Sequence, residues 1–550
     1  MLRYGRYAVA IMVIMALLAV GCGREKAGQP EAPAAPTPAM MQPGGQLIYG
    51  SLLEPNTLNP LLSDLVATAE VGSLIFSGLV QVNDKGEWLA DLASEVPTLQ
   101  NGGVSPDGLT VTYRLRPGVA WHDGRQLTSA DVKFTWELIM NRRVNVVSRD
   151  GYDRISAVDT PDALTVVVRF RQYYAPYLTL FTTILPRHLL ANAEDVNKAP
   201  FNRAPVGTGP FRFKEWRLAE AIVLEANPGY FKGRPNLDGI LYKIIPDSNI
   251  MLTQIKAGEV DIVGNVGSAQ LDQVRAVSGV RAVTTPSMIW EHLDFNLDNA
   301  LFQDARVRRA IALALDRQAI VANVVKGAAS VATGDQSPLS WAYNPTVKPP
   351  ARDVAAAREL LAQAGFKPGA DGVFVKDGRR LSFNLVTTTG NKTREAVANE
   401  VVQQLKEAGV EVTVRLVEAP AFFGDVLRAR RFEAAMFAWV AGLDPDNVSL
   451  WHSRNIPGAG NNWQGQNYAG WRHAEVDSLT EQGARLVDVG ARRQVYLRVQ
   501  ELLAQEVPVI PLYFRSNVDA VRDTVVNYKP NPIQAGNLWN AREWGLTKKR

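Results

Sequence analysis

The stretch AWVAGLDPDN, residues 438–447, places an indole at Trp439 five positions before a carboxylate at Asp444, with a second at Asp446. An aromatic platform beside a carboxylate, on a loop that follows a strand, can receive a ligand. The same residues also serve as a core tryptophan and a turn-forming Asp-Pro pair, and the segment alone leaves both open. The other chemistry-bearing types are sparse. The five histidines (His122, His188, His292, His452, His473) include no i, i+4 pair, so no metal-ligand spacing is present. His122, in the turn-like WHDG, reads as a satisfied polar residue. There is no G-x-S-x-G elbow and no H-E-x-x-H helix, and Asp444 and Asp446 lie on one turn rather than across a cleft. No residue is assigned a catalytic role, and no cofactor is expected.

The single cysteine, Cys22, closes the only long apolar run of the chain. Arg3 and Arg6 supply a positive start, and Ala8 to Val20 are continuously apolar. As a helix those thirteen residues reach about 20 Å, short of the ~30 Å hydrocarbon core, which is the pattern of a secretory signal peptide over residues 1–21. AVGC resembles a bacterial lipobox, with Ala19 where leucine is more usual, and implies a lipid anchor on Cys22. From there to Gly45, five prolines and no apolar period describe an extended tether of roughly 70 Å.

The chain's 46% hydrophobic composition and 12 tryptophans are enough to bury a large core, divided at 550 residues into two or three lobes. Without cysteine, disulfides and thiol chemistry are unavailable to the mature chain. The formal charge of +4, reduced to +2 without Arg3 and Arg6, is too small for a nucleic-acid partner.

The elements that must position Trp439 and Asp444 are legible around them. LSFNLVTTTG, VEVTVRLV and FEAAMFAWVAG read as strands, separated by helices at KTREAVANEVVQQLKEAG and PAFFGDVLRARR. Strand–helix–strand–helix–strand at these spacings predicts parallel strands with right-handed crossovers. Ligands of such sheets bind beyond the carboxyl ends of the strands, which places AWVAGLDPDN at the mouth of a site. Elsewhere, Thr128 and Asp131 form a capping box opening a helix. Asp304 and Asp316 cap two further helices. Arg306, Arg308 and Arg309 read as a solvated helix face, and the glycines of GTGPF (207–211) as turn formers.

Segments in order along most of the chain are similar to those of solute-binding lipoproteins of the peptide/nickel-type ABC importers. They include EPNTLNPL, IFSGLV, LRPGVAWHDGRQLTSADVKFTWE, PVGTGPFRF, QIKAGEVDIV, LDFNLDNALFQDARVRRAIALALDRQAI, FAWVAGLDPDNVSLWHS and YLRVQELLAQEVPVIPLYF. The resemblance implies an α/β fold with mixed sheets, a two-lobed periplasmic-binding-protein clamshell with an extra third domain. Lobe I would comprise 46–66, 206–290 and 512–550, the extra domain 67–205, and lobe II 291–511. It implies a monomer on the periplasmic or outer face of a membrane, passing short peptides to a permease and its ATPase.

In that family, backbone groups of the AWV-type stretch pair with an extended ligand, here Ala438, Trp439 and Val440, with Glu54 opposite. Trp290, His292 and Tyr513 fall where ligand-facing residues are expected. The aspartate that well-studied relatives carry three residues after the tryptophan is Gly442 here. Either Asp444 supplies that charge from a shifted position, or the free amine of a peptide is not read. A metal chelate, an opine or a sugar in the same fold, or a signalling role, is the alternative, and a lipid-anchored hydrolase is disfavoured.

Overall fold

Residues 382–440 fold as the alternation of strands and helices requires. In a computed structural model of the chain, which describes residues 41–267, 270–461, 463–533 and 536–548, strands Ser382–Thr388, Glu411–Val417 and Ala434–Val440 are mutually parallel. The signal peptide, Cys22 and the tether up to residue 40 lie outside the described residues.

These strands belong to a main sheet. Its members are β1 (Gln46–Ser51), β2 (Phe211–Arg217), β3 (Ala221–Ala226), β4 (Gly239–Ile244), β5 (Ile262–Val263), β6 (Val280–Phe295) and β7 (Ala329–Val331). They continue with β8 (Ser382–Thr388), β9 (Glu411–Val417), β10 (Ala434–Val440) and β11 (Val509–Arg522). The spatial order is β9-β8-β10-β6-β11-β5-β1-β4-β3-β2, with β7 pairing off β11.

The long antiparallel pair β6–β11 runs through the centre and joins two cores. Leu47, Tyr49, Ile240 and Trp544 belong to one; Leu293, Ile311, Leu385, Met436 and Ile510 belong to the other. The β6–β11 register shifts between Pro286 and Trp290 and again between Glu291 and His292.

A third core, among residues 79–184, surrounds the small sheet of 110–114, 165–170 and 155–162. Helix α1 (Val66–Ile75) packs Ala67, Val71, Leu74 and Ile75 into the first core. The expected division at residue 67 therefore cuts a helix whose buried face belongs with β1 and β4.

Local capping works as the sequence dictates. Helix α2 (Ser129–Met140) opens on the Thr128–Asp131 capping box, and α3 (Ala305–Ala314) on Asp304, whose carboxylate accepts from the Arg306 N–H. Asp316 accepts from the Ala319 N–H and caps the short turn that follows.

Two expectations are corrected. Arg308 is buried rather than solvated, and its guanidinium donates to the carbonyls of Phe302, Gln303, Glu506 and Val507, closing two chain ends that helices leave unsatisfied. Gly207 and Gly209 serve close approach rather than turn geometry. A Cβ at Gly207 would run into the Ile75 carbonyl, and one at Gly209 would come within 2.6 Å of it. His122 bridges the same stretch, its Nε2 3.0 Å from the Gly209 carbonyl, in the satisfied polar role expected of it.

Candidate functional site

Between the three cores lies a cavity of about 560 Å³. The end of α1 (Ser73, Phe76) forms one wall and the segment Val80–Val82 with Trp88 continues it. The register-shifted stretch Ser287–Ile289 faces them, together with Val440–Leu443 just beyond β10. The carboxyl end of a parallel strand thus opens on the cavity, as the topology predicts.

Most of the polar lining is neutral: serine, threonine and asparagine side chains, with Gln81. Its one ionisable side chain, Asp91, is already engaged. Lys232 Nζ stands 2.5 Å from Asp91 Oδ1 as an ion pair outside hydrogen-bond angles, and the Gly78 N–H donates to Oδ2 at 3.2 Å. The wall therefore presents no uncompensated charge.

What the wall does present is backbone. Strand β10 pairs with β8 only from Ala434 to Met436, while its pairing with β6 continues to Val440. Ala441 N–H donates to the Met288 carbonyl at 3.0 Å. Antiparallel bonding alternates, so Trp439 and Phe437 share the bonded positions toward β6. Ala438 and Val440 turn their N–H and C=O groups to the opposite edge, past the point where β8 has ended. Val440 is 59% exposed.

Charge is concentrated behind the wall instead. Glu291, in the irregular stretch of β6, is buried against Arg394, which donates to it through Nε at 3.1 Å and Nη2 at 3.0 Å, and against Arg515. Burial works to raise this carboxyl, but the two guanidiniums more than offset it and hold it below the usual carboxylate range. Beneath the α1 wall, Glu70 receives the hydroxyls of Tyr49 (3.0 Å) and Tyr242 (2.6 Å). There burial wins over the hydrogen bonds and pushes the carboxyl up to about 7. Asp519, bonded by Tyr528, is pushed up to about 6 for the same reason.

Residues 88–461 match the model of the bacterial extracellular solute-binding proteins, family 5. The chain is 31% identical over 551 residues to the oligopeptide-binding protein AppA of Bacillus subtilis, covering 98% of each chain. This chain belongs to family 5. The structure of Bacillus subtilis AppA in complex with a nonapeptide superposes with a TM-score of 0.69 at 32% identity, over 92% of this chain and all of that one. NikZ from Campylobacter jejuni, in complex with Ni(L-His), gives 0.71 at 27%, with the same coverage. The oligopeptide-binding protein of Thermus thermophilus, complexed with a pentapeptide, gives 0.65 at 29%, over 92% of this chain and 97% of that one. The fold is the two-lobed α/β clamshell with an additional domain, and family 5 proteins bind solutes.

Within this family 5 fold, the side chains singled out from the sequence separate sharply. Val440 lines the cavity. Ala438 and Trp439 are half-buried beside it, the indole stacked on Tyr468 at 5.7 Å between ring centroids.

Trp290, His292 and Tyr513 do not line this cavity: they are 1%, 0% and 2% exposed. Trp290 packs on His292 and Trp451, and His292 Nδ1 bonds Asp294 at 2.6 Å. Tyr513 lies in the second core. All three sit in the central strands, where layers on both sides of the sheet cover them.

Glu54 does not line the cavity either. Its carboxylate accepts from Trp216 Nε1 and the Ala219 N–H, tying the β2–β3 hairpin. Asp444 is held in a bidentate pair with the buried Arg492, at 2.9 and 2.7 Å, so its charge is already matched. Among the described residues no three His, Cys, Asp or Glu side chains gather as a metal site, and no helix is long and apolar enough to cross a membrane.

Sequence reasoning missed most of the wall, because its residues come from segments far apart in the chain. One trace was available in IFSGLV. A Cβ at Gly78 would sit 2.6 Å from the Thr182 carbonyl, so only glycine lets two strips of the wall meet.

Proposed function

We propose that this chain is the extracytoplasmic receptor of an ABC importer, anchored through lipidated Cys22, and that its cleft captures short peptides by their backbone. The observation that carries the reading is the open edge of β10 at Ala438 and Val440, beside a cavity without uncompensated charge. An extended peptide laid along that edge gains main-chain hydrogen bonds whatever its side chains are, the mode called β-augmentation. Neutral polar and aromatic walls then accept varied side chains, which suits a receptor that serves uptake. The nonapeptide held by Bacillus subtilis AppA supports the same ligand class.

Closing the two bodies about the β6–β11 register break buries the peptide, and a ligand favours the closed state by its differential affinity for it. The loaded monomer then delivers its cargo to the permease and ATPase. Glu54 and Asp444 act as scaffold in this account, not as ligand contacts.

The test is mass spectrometry of what co-purifies with the full chain and is released by acid. A ladder of short peptides with varied side chains is the expected result. A single non-peptide species, such as a metal chelate, an opine or a sugar, overturns the peptide assignment while leaving the family intact.

A further inference from the structure

Four arginines are buried among the described residues: Arg308, Arg317, Arg394 and Arg492. A buried guanidinium must be matched by carboxylates or by enough carbonyls to use its five N–H donors. Arg394 has Glu291, Arg492 has Asp444, and Arg308 has four carbonyls and Glu506 within 3.8 Å.

Arg317 is the exception. It is 6% exposed, and its only hydrogen bonds among the described residues are Nε to the Pro511 carbonyl at 2.9 Å and Nη1 to the Pro350 carbonyl at 3.4 Å. No acidic side chain among the described residues pairs with it. Burial lowers it only to about 10, so it stays cationic at neutral pH.

This cation lines a second cavity of about 310 Å³, which shares no lining residue with the cleft. The cavity lies in the second core, between α3, the helix Val489–Glu506 (α4), and the start of β11. Its walls are apolar, with Leu313, Leu360, Leu503 and Ile510 prominent. The other ionisable lining groups are Arg309 and Lys348, both exposed, and Asp335. Asp335 is committed elsewhere: its Oδ2 accepts from Trp451 Nε1, Asn447 Nδ2 and Gln336 Nε2, and its Oδ1 is buried without a partner.

We propose that this cavity is a second ligand site, for a small amphipathic monocarboxylate whose head group pairs with Arg317 and whose apolar chain lies against Leu313, Leu360 and Leu503. A carboxylate is the planar, bidentate acceptor that a guanidinium fork matches best. A cavity of this size, mostly apolar with a buried guanidinium and few other polar groups, has the make-up of a small-molecule site. Arg309 and Lys348 at the rim add attraction for an anion.

The test is isothermal titration of the full chain with octanoate, octanol and octylammonium, which share a tail and differ in head group. Octanoate is expected to bind at least about tenfold more tightly than octanol, the value of one charge-assisted hydrogen bond, and octylammonium more weakly still. Arg317→Met should reduce octanoate to the level of octanol. Ala504 is exposed at the cavity lining, so Ala504→Trp should block all three at little cost to folding and keeps the test valid if the arginine variant does not fold. Leu443→Trp, in the cleft, should leave octanoate binding unchanged. Equal binding of octanoate and octanol, loss of octanoate binding in Leu443→Trp, or no binding of octanoate at millimolar concentration would each overturn the assignment.

Discussion

The two halves of strand β10 have opposite fates. Ala434 to Phe437 are fully buried, with β6 alongside all four and β8 alongside Ala434 to Met436, and aromatic rings pack on Phe437. Ala438 to Val440 continue the same strand with β6 still in place but β8 gone, and exposure climbs to the cavity wall. Across the register, Trp290 faces Trp439 and His292 faces Phe437, both β6 side chains buried, while Ile289, opposite Val440, shares the cavity wall. The comparison teaches that open backbone here comes from where pairing runs out, and the proposed peptide site rests on it. An indole or an imidazole on its own does not mark the site.

The contrast predicts that damage on the buried side costs stability and damage on the open side costs affinity. Trp290→Ala removes a fully buried indole from a packed cluster and should lower unfolding free energy by about 3–5 kcal/mol. Chemical denaturation reads this directly, and peptide affinity of the fraction that remains folded should be unchanged. An affinity loss on the scale of the stability loss would put Trp290 in the site after all.

Glu70 probes the floor beneath the α1 wall. Its carboxyl rises from 4.5 to about 7 in the fold, so between these values the folded chain keeps a proton that the unfolded chain has released. The stability contribution of this group is therefore greatest below about 4.5 and falls as pH rises to about 7, by about 3 kcal/mol in total. Glu70→Gln should flatten this part of the stability–pH curve measured by denaturant titration. An unaltered curve would mean that water reaches the floor and that the buried side is not dry.

Val440→Pro sharpens the open side. Proline is tolerated on a strand edge that donates to nothing in the chain, but it removes the N–H offered to a ligand. Peptide affinity measured by titration should fall about tenfold, the value of roughly one hydrogen bond, with little change in melting temperature. A drop in stability without loss of affinity would reverse the assignment of the two halves.

The legible parts of this molecule are those decided within a few residues of sequence. The Thr128–Asp131 capping box, the Asp304 cap and the parallel arrangement of β8, β9 and β10 each follow from local spacing, and each is present. The position of residues 440–443 on the cavity follows from the same topology. What sequence could not decide are roles fixed by distant partners. Arg308 finds the carbonyls of Glu506 and Val507 about two hundred residues away, and Asp444, on a loop, finds Arg492 on α4. Gly207 is glycine because of Ile75, across more than a hundred residues. Trp290 and Val440 differ in what lies above them, which no local pattern records.

The most direct test of the central claim compares one short peptide with its N-acetylated form, titrated calorimetrically into the full chain. A neutral cleft that holds backbone should bind both within about threefold. A penalty of 2–5 kcal/mol on acetylation, the scale expected for losing a buried charge partner, would mean that a carboxylate reads the free amine, and the account of a backbone-directed, charge-neutral cleft would be wrong.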